Sequence, residues 1–410
     1  MTATVTNNFV SHLEGAIDGE HLPPEIVHTL HHERPIWVRY DLEQINKSLS
    51  KQVLLSRPPT IWRYAELLPA YEPSKIVSLG EGMTPVLPCP RLGGEMGLNH
   101  LSVKDESQLP TGSFKSRGMA LAITMANHFG VKTVALPTAG NAGGAAAAYA
   151  ARAGMQCYVF MPQDTPIINQ YEAVAAGAHA FLVNGLINDC GSVVNKGKDE
   201  MGWFDLSTLK EPYRIEGKKT MGLELAEQFD WKLPDVIFYP TGGGTGLIGM
   251  WKAFNELREM GWLDSPVMPR MISVQSTGCS PIVNAYDSGQ RHATPVQSAE
   301  TIARGIRVPG AVGDFMILDA IRQSGGTAVA VDEDAILPWM SRATATEGIS
   351  VCPETGACFA AVQQCLDDGT ISANDNIVVF NTGASQKYSE AIACELPLLN
   401  IEQPINWAAI

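Results

Sequence analysis

The chain is short of positive charge. Lysine and arginine total 29 against 43 aspartates and glutamates, a formal net charge of −14 over 410 residues. That balance argues against nucleic acid or an anionic membrane surface as the main partner. An anionic small molecule would need a local basic pocket. No C-x-x-C pair occurs among Cys89, Cys157, Cys190, Cys279, Cys352, Cys358, Cys365 and Cys394, so neither a zinc knuckle nor a thioredoxin-like site is indicated. Most of these cysteines sit in apolar surroundings, as reduced core thiols of a cytosolic protein do. The opening MTATVTNNFVSHLEGAIDGEH lacks a basic segment followed by an apolar stretch, so no secretory signal is expected. The longest run of small apolar residues, Ala142 to Ala151, is too short to span a bilayer and is followed by Arg152. A soluble, cytoplasmic protein is expected.

What is present is material for a large core: 45% of the residues are hydrophobic, and the length suggests two domains. From about residue 100, short β-rich runs alternate with helical stretches. Thr133–Leu136 precedes a helix over Ala142–Ala153; Gln156–Met161, a helix near Asn169–Ala176, and Ala180–Val183 follow. Later come Val236–Tyr239, a helix over Gly246–Leu257, Met271–Gln275 and finally Asn376–Phe380. Apolar strands separated by helices predict α/β architecture with parallel sheets covered on both faces. Ligands are then expected at the loops leaving the strand C-termini. The expected division is an N-terminal arm (1–77), α/β domains over 78–215 and 216–395, and a tail (396–410). The arm is polar and is read as packing on the main body, with a subunit interface as a candidate contact.

Four segments carry chemistry. Pro110-Thr111-Gly112-Ser113-Phe114-Lys115-Ser116-Arg117-Gly118 opens a helix, and a lysine beside a helix N-terminus has its charged form disfavoured. Such an amine is a nucleophile toward aldehydes; alone, a solvated first-turn lysine is the better reading. Thr138-Ala139-Gly140-Asn141-Ala142-Gly143-Gly144 follows a strand, so its backbone N–H groups suit a carboxylate, and Asn141 offers an amide. A tight turn chosen for packing fits it equally. Thr241-Gly242-Gly243-Gly244-Thr245-Gly246 lies between a strand and a helix. A phosphate cradle is favoured over a plain turn there, and the segment is neither a P-loop nor a clean G-x-G-x-x-G fingerprint. Phe380-Asn381-Thr382-Gly383-Ala384-Ser385 ends the last apolar strand; a hydroxyl to a ring nitrogen and an ordinary loop are equal readings.

In this order and spacing the four resemble the fold-type II, tryptophan synthase β-like pyridoxal-phosphate enzymes over roughly residues 78–390. Within that group the chain looks most like the threonine synthase family. Gly80-Glu81-Gly82-Met83-Thr84-Pro85, Val103-Lys104-Asp105-Glu106, Thr111-Gly112-Ser113-Phe114-Lys115 and Pro212-Tyr213-Arg214-Ile215-Glu216-Gly217-Lys218-Lys219-Thr220 match its pattern. The resemblance implies a two-domain fold, pyridoxal 5'-phosphate as cofactor and a homodimer. It implies that Lys115 holds the cofactor as a Schiff base and moves protons, that Asn141 contacts the ring oxygen, and that Gly242, Gly243, Gly244, Thr245 and Gly246 hold the phosphate. Thr382 would face the pyridine nitrogen, which favours elimination over transamination. Thr84, Thr138, Ala139 and Arg214 would contact substrate, Arg214 through its phosphate; an ion pair of Arg214 with Glu216 is the other reading.

The departures from the family pattern are Ser116 for an aspartate, Thr138-Ala139 for Ser-Thr, Thr208-Leu209 for Asn-Ser, and the triple glycine, which resembles threonine and serine dehydratases. The stretch Arg34 to Glu43 resembles the segment following a small zinc ribbon in some relatives. No cysteine precedes it, and His28, His31 and His32 make no metal set on their own, so no metal is expected. The expected activity is a lyase of threonine biosynthesis, turning O-phospho-L-homoserine and water into L-threonine and phosphate. The alternative is a threonine/serine dehydratase or a β-replacement enzyme. Glu347 is a candidate second polar group at the cofactor or a helix cap. A non-catalytic binding protein is disfavoured by the intact lysine and cradle.

Overall fold

The strand Val236–Pro240 is buried at every position, as a strand covered on both faces must be. In the computed structural model, which describes residues 8–69, 72–392, 395–400, 402–405 and 407, this strand lies inside a six-stranded sheet. The order is Thr327–Val331, Arg270–Ser276, Val236–Pro240, Asn376–Asn381, His100–Asp105, Val86–Pro88. All neighbours are parallel except the last pair, which closes the edge antiparallel. Side-chain alternation sorts each strand between two cores. Val236, Phe238, Ile272, Val274, Ile377 and Val379 pack against the helix Pro353–Asp367. Ile237, Tyr239, Met271, Val378 and Phe380 turn the other way, toward the helices Tyr213–Gln228 and Thr245–Glu259.

A second sheet is wholly parallel, in the order His179–Val183, Gln156–Pro162, Thr133–Pro137, Phe204–Asp205. Val134, Leu136, Cys157 and Val159 face the helices Lys115–His128 and Ala142–Ala153. Ala135 and Phe160 face Cys190 and Val194 of the helix Ile187–Met201. The expected parallel α/β architecture is therefore present, with each expected strand within two residues of the sequence reading. Val86–Pro88 and His100–Asp105 lie within segment 78–215 yet pair in the six-stranded sheet with strands of 216–395. From Val86 onward the chain thus enters the larger sheet first, builds the smaller one and returns.

The N-terminal residues form a three-stranded antiparallel sheet of Val10–Gly15, His21–Leu22 and Ile36–Tyr40. It packs on the body, burying Leu13, Ile36 and Val38. Asp18 and Glu20 lie with His31 and His32, their ligand atoms within 4.8 Å of one another; a 3.0 Å ion pair from His31 Nε2 to Asp18 Oδ2 already joins two of them. The seven described cysteines are free and buried, and burial pushes the thiols of Cys89, Cys157 and Cys365 up to about 12. Cys394 lies outside the described residues. No helix among the described residues is long and apolar enough to cross a membrane.

Candidate active site

Between the two sheets, at the C-terminal ends of their strands, lies a cavity of about 730 Å³. Four turns reach it. Lys115 comes from the start of the helix Lys115–His128, Asn141 from the turn before Ala142–Ala153, the glycine loop from the end of Val236–Pro240, and Thr382 from the end of Asn376–Asn381. Thr138, Ala139, Gly242, Gly243, Gly244, Thr245 and Gly246 also line the cavity. Segments more than 200 positions apart in the chain meet here, which is the expected consequence of parallel strands whose loops all leave at one edge.

The Lys115 ammonium lies 4.1 Å from the centroid of the Phe114 ring. Its pKa is brought down to about 7, first by burial and then by the charge of Arg214, with the Glu354 carboxylate pulling the other way. Burial, rather than the helix terminus alone, makes this amine available in its neutral form near pH 7. Behind the same ring sits Lys218, fully buried, its ammonium 4.0 Å from the ring centroid and donating to Phe114 O. Burial first, then Lys115 and Arg214, hold Lys218 well below the usual lysine range.

Asn141 is buried, and its Nδ2 donates to Tyr388 Oη at 3.0 Å. Its Oδ1 has no hydrogen-bond partner among the described residues. Thr382 Oγ1 is 3.6 Å from Cys352 Sγ, and its carbonyl accepts from Phe114 N–H at 3.0 Å. The glycine loop is shaped by what its missing side chains would strike. Gly244 has φ +75°, and a Cβ there would lie 2.3 Å from Ile317. At Gly246 a Cβ would lie 1.9 Å from Tyr239 Oη. The bare faces are packed on protein, which leaves the N–H groups of the loop and of the first turn of Thr245–Glu259 for an anion. Gly246→Ala is expected to cost about 1–3 kcal/mol through overpacking and to weaken cofactor retention, read by thermal denaturation and by visible absorbance. An unchanged midpoint would show that Tyr239 gives way freely.

Two expected substrate residues are not on the cavity wall. Thr84 Oγ1 donates to Glu106 Oε1 at 2.6 Å and accepts from Arg117 Nη2 at 3.1 Å, inside a buried ionic network. Arg214 is 2% exposed, and its Nη1 donates to Leu206 O at 2.7 Å. Nor does it pair with Glu216, whose carboxylate is taken by Lys219 at 2.8 Å and Lys252 at 2.6 Å. Arg214 acts here from behind the wall, as a charge near Lys115. Glu347 accepts from Leu92 N–H at 2.6 Å, in the first turn of Pro90–Met96, and so serves as a cap.

The residue that sequence reading missed is Glu354. It lines the cavity from the first turn of Pro353–Asp367, accepts from Gly305 N–H at 2.6 Å, and leaves Oε2 without a hydrogen-bond partner among the described residues. The signal available was Pro353-Glu354, a proline opening a helix followed by a first-turn acid.

A model of the pyridoxal-phosphate dependent enzyme family matches residues 77–383. Threonine synthase from Methanocaldococcus jannaschii is 35% identical over 385 residues, covering 93% of this chain and 94% of the relative. The chain belongs to the threonine synthase family of pyridoxal-phosphate dependent enzymes. Threonine synthase from Methanosarcina acetivorans is 36% identical over 364 residues, 88% of each chain. Among solved structures, maize serine racemase superposes with a TM-score of 0.64 at 23% identity, covering 74% of this chain and 88% of that one. Threonine deaminase isoform 2 from Solanum lycopersicum gives 0.63 at 20%, covering 75% and 82%; these two speak for the fold alone. This member of the family is a pyridoxal-phosphate dependent lyase. Its residues fit the cofactor: an amine of depressed pKa, a glycine loop whose bare faces are filled by protein, and a buried amide oxygen of Asn141 left unpartnered.

Proposed function

We propose that this enzyme converts O-phospho-L-homoserine and water to L-threonine and phosphate, as a cytoplasmic homodimer. The observation that carries the reading is the convergence of Lys115, Asn141, the glycine loop and Thr382 on one cavity that Lys196, Lys210, Arg304 and Arg307 also line in an acidic chain. The division at residues 77/78 and 215/216 goes with it, the strands Val86–Pro88 and His100–Asp105 of the first unit completing the sheet of the second. When bound, the cofactor supplies an electron sink for a carbanion. Lys115 Nζ, whose neutral form is well populated from about pH 7 upward, takes the proton from the substrate Cα and returns protons later in the sequence. Asn141 would orient the cofactor through its amide, and the N–H groups at Gly242 to Gly246 would hold its phosphate. Thr382 would offer a hydroxyl rather than a carboxylate to the cofactor's ring nitrogen, a partner that does not call for its protonation.

A second reading, a threonine/serine dehydratase, is favoured by one observation: Arg214 does not line the cavity. Incubation with O-phospho-L-homoserine and, separately, with L-threonine and L-serine separates the two. Phosphate release matched by threonine is expected. Ammonia and 2-oxo acid from the hydroxy amino acids, with phosphohomoserine untouched, would sink the synthase reading. Gel filtration of the purified protein tests the dimer.

A further inference from the structure

Three polar side chains on the cavity wall come from three distant elements. Asn141 precedes the helix Ala142–Ala153, Glu354 lies in the first turn of Pro353–Asp367, and Tyr388 follows the 3-10 turn Ser385–Lys387. They are 8%, 2% and 3% exposed, so their hydrogen-bond partners have to come from the protein or from a ligand. Asn141 Nδ2 donates to Tyr388 Oη at 3.0 Å. Having accepted that bond, the hydroxyl keeps its own proton for another acceptor. The Glu354 carboxylate faces it. Burial first, and then that charge, hold the Tyr388 hydroxyl well above its ordinary value of 10, so it stays protonated. Glu354 Oε1 is taken by Gly305 N–H at 2.6 Å, and Oε2 has no hydrogen-bond partner among the described residues. The proton of Tyr388 is thereby drawn toward Glu354, and its oxygen toward Asn141.

The turn carrying Tyr388 is held from several sides. Ser385 N–H donates to Ser350 Oγ at 3.1 Å, and Tyr388 N–H closes the turn on Ser385 O at 2.9 Å. Lys387 Nζ donates to Thr111 O at 2.9 Å, in the loop that leads to Lys115, and pairs with Glu172 of the helix Ile167–Ala175. The hydroxyl is therefore a fixed point in the wall, whereas Asn141 Oδ1 has no hydrogen-bond partner among the described residues. We propose that Tyr388 is a positioning residue for the cofactor: its hydroxyl, turned by Glu354, sets which end of the Asn141 amide meets the cofactor's ring oxygen. The inference rests on reading Asn141 as the contact to that oxygen. An amide free to turn about its Cβ–Cγ bond exchanges its NH₂ and C=O ends, which are a donor and an acceptor. A neighbour whose own proton is committed elsewhere can only accept, and it removes that choice.

The test uses wild type, Tyr388→Phe, Tyr388→His, Asn141→Ala and the Tyr388→Phe/Asn141→Ala double variant. Pyridoxal phosphate is titrated into each apoprotein for Kd, the visible band of each holoenzyme is recorded, and thermal denaturation of the apoproteins follows packing. Asn141→Ala is expected to shift the band and weaken Kd about tenfold, as loss of a hydrogen bond to a charged group does. Tyr388→Phe should move the band in the same direction and weaken Kd about threefold or more. In the Asn141→Ala background the same replacement should add less than about twofold, because it acts through the amide. Tyr388→His keeps a ring acceptor in a smaller side chain, so it should lie nearer wild type than Tyr388→Phe in both readouts. A wild-type band and Kd in Tyr388→Phe overturn the proposal, whatever happens to the denaturation midpoint. So do a full, additive effect in the Asn141→Ala background and a histidine variant further from wild type than the phenylalanine one. A wild-type band and Kd in Asn141→Ala would overturn the reading of Asn141 itself, and the proposal with it.

Discussion

Replacement of Lys115 by alanine is expected to lower turnover about 10⁴-fold or more, because it removes covalent capture of the cofactor together with a proton transfer worth about 10²–10⁴-fold by itself. Lys115→Arg should fare no better. It keeps the positive charge but has no amine that reaches its neutral form near pH 7. Retention of activity within about tenfold of wild type in Lys115→Ala would remove this residue from the chemistry. The same lysine has a pH signature. Its folded-state pKa of about 7 lies below the ordinary 10.5, with burial and then Arg214 as the causes. Covalent capture of pyridoxal phosphate by apoprotein should therefore accelerate as pH rises through about 7 and level off above it. Between that value and 10.5 the unfolded chain binds the proton more tightly, so apoprotein stability gains from this group as pH rises across the window. Arg214→Met takes away the second cause, and the midpoint of capture should move upward; a midpoint that stays put would show burial acting alone.

Arg117→Met is the second large expected effect, on stability. Arg117 is fully buried two residues beyond Lys115, and its guanidinium meets Glu106 at 2.5 Å and Glu224 at 2.6 Å. Lys104 adds a contact to Glu224 at 3.1 Å and donates to Thr84 O at 2.7 Å. Burial acts to raise the Glu224 pKa, but Arg117 and Lys104 outweigh it and hold the carboxyl down at about 2. The folded value lies below the unfolded 4.5, so this stabilisation is present above 4.5 and is lost as pH falls toward about 2. Removing the guanidinium leaves two carboxylates buried side by side, at a cost of about 3–5 kcal/mol. Chemical denaturation of the two proteins at neutral pH measures it. A difference under about 1 kcal/mol would mean that water or a repacked lysine replaces the arginine. Because the network joins the helix Lys115–His128 to Tyr213–Gln228, activity should fall with stability.

Much of the site could be read from local pattern, because its parts are local. Each glycine-rich turn follows an apolar strand and opens a helix, and that arrangement points backbone N–H groups outward whatever the rest of the fold does. The turns at Thr138 to Gly144 and Thr241 to Gly246 were legible for this reason, as was Thr382 at a strand end. Less legible were the strands Val86–Pro88 and His100–Asp105, whose place in the larger sheet is set by pairing with Asn376–Asn381, far along the chain. Also hidden was Glu354, one first-turn acid among several until the Arg304–Ile306 turn docks on it.

By itself the sequence determined the α/β class and the order of the βα units, which follow from residue periodicity. The roles of Lys115 and of the glycine loop came from the family resemblance those motifs carry, the loop needing conformations that only small residues adopt. Tertiary structure alone decided how deep each charge lies. Arg214 reads as an anion ligand through the family resemblance, yet the fold buries it and bonds its guanidinium to Leu206 O, off the cavity wall. Burial and long-range pairing are properties of the packed chain, and local sequence does not carry them.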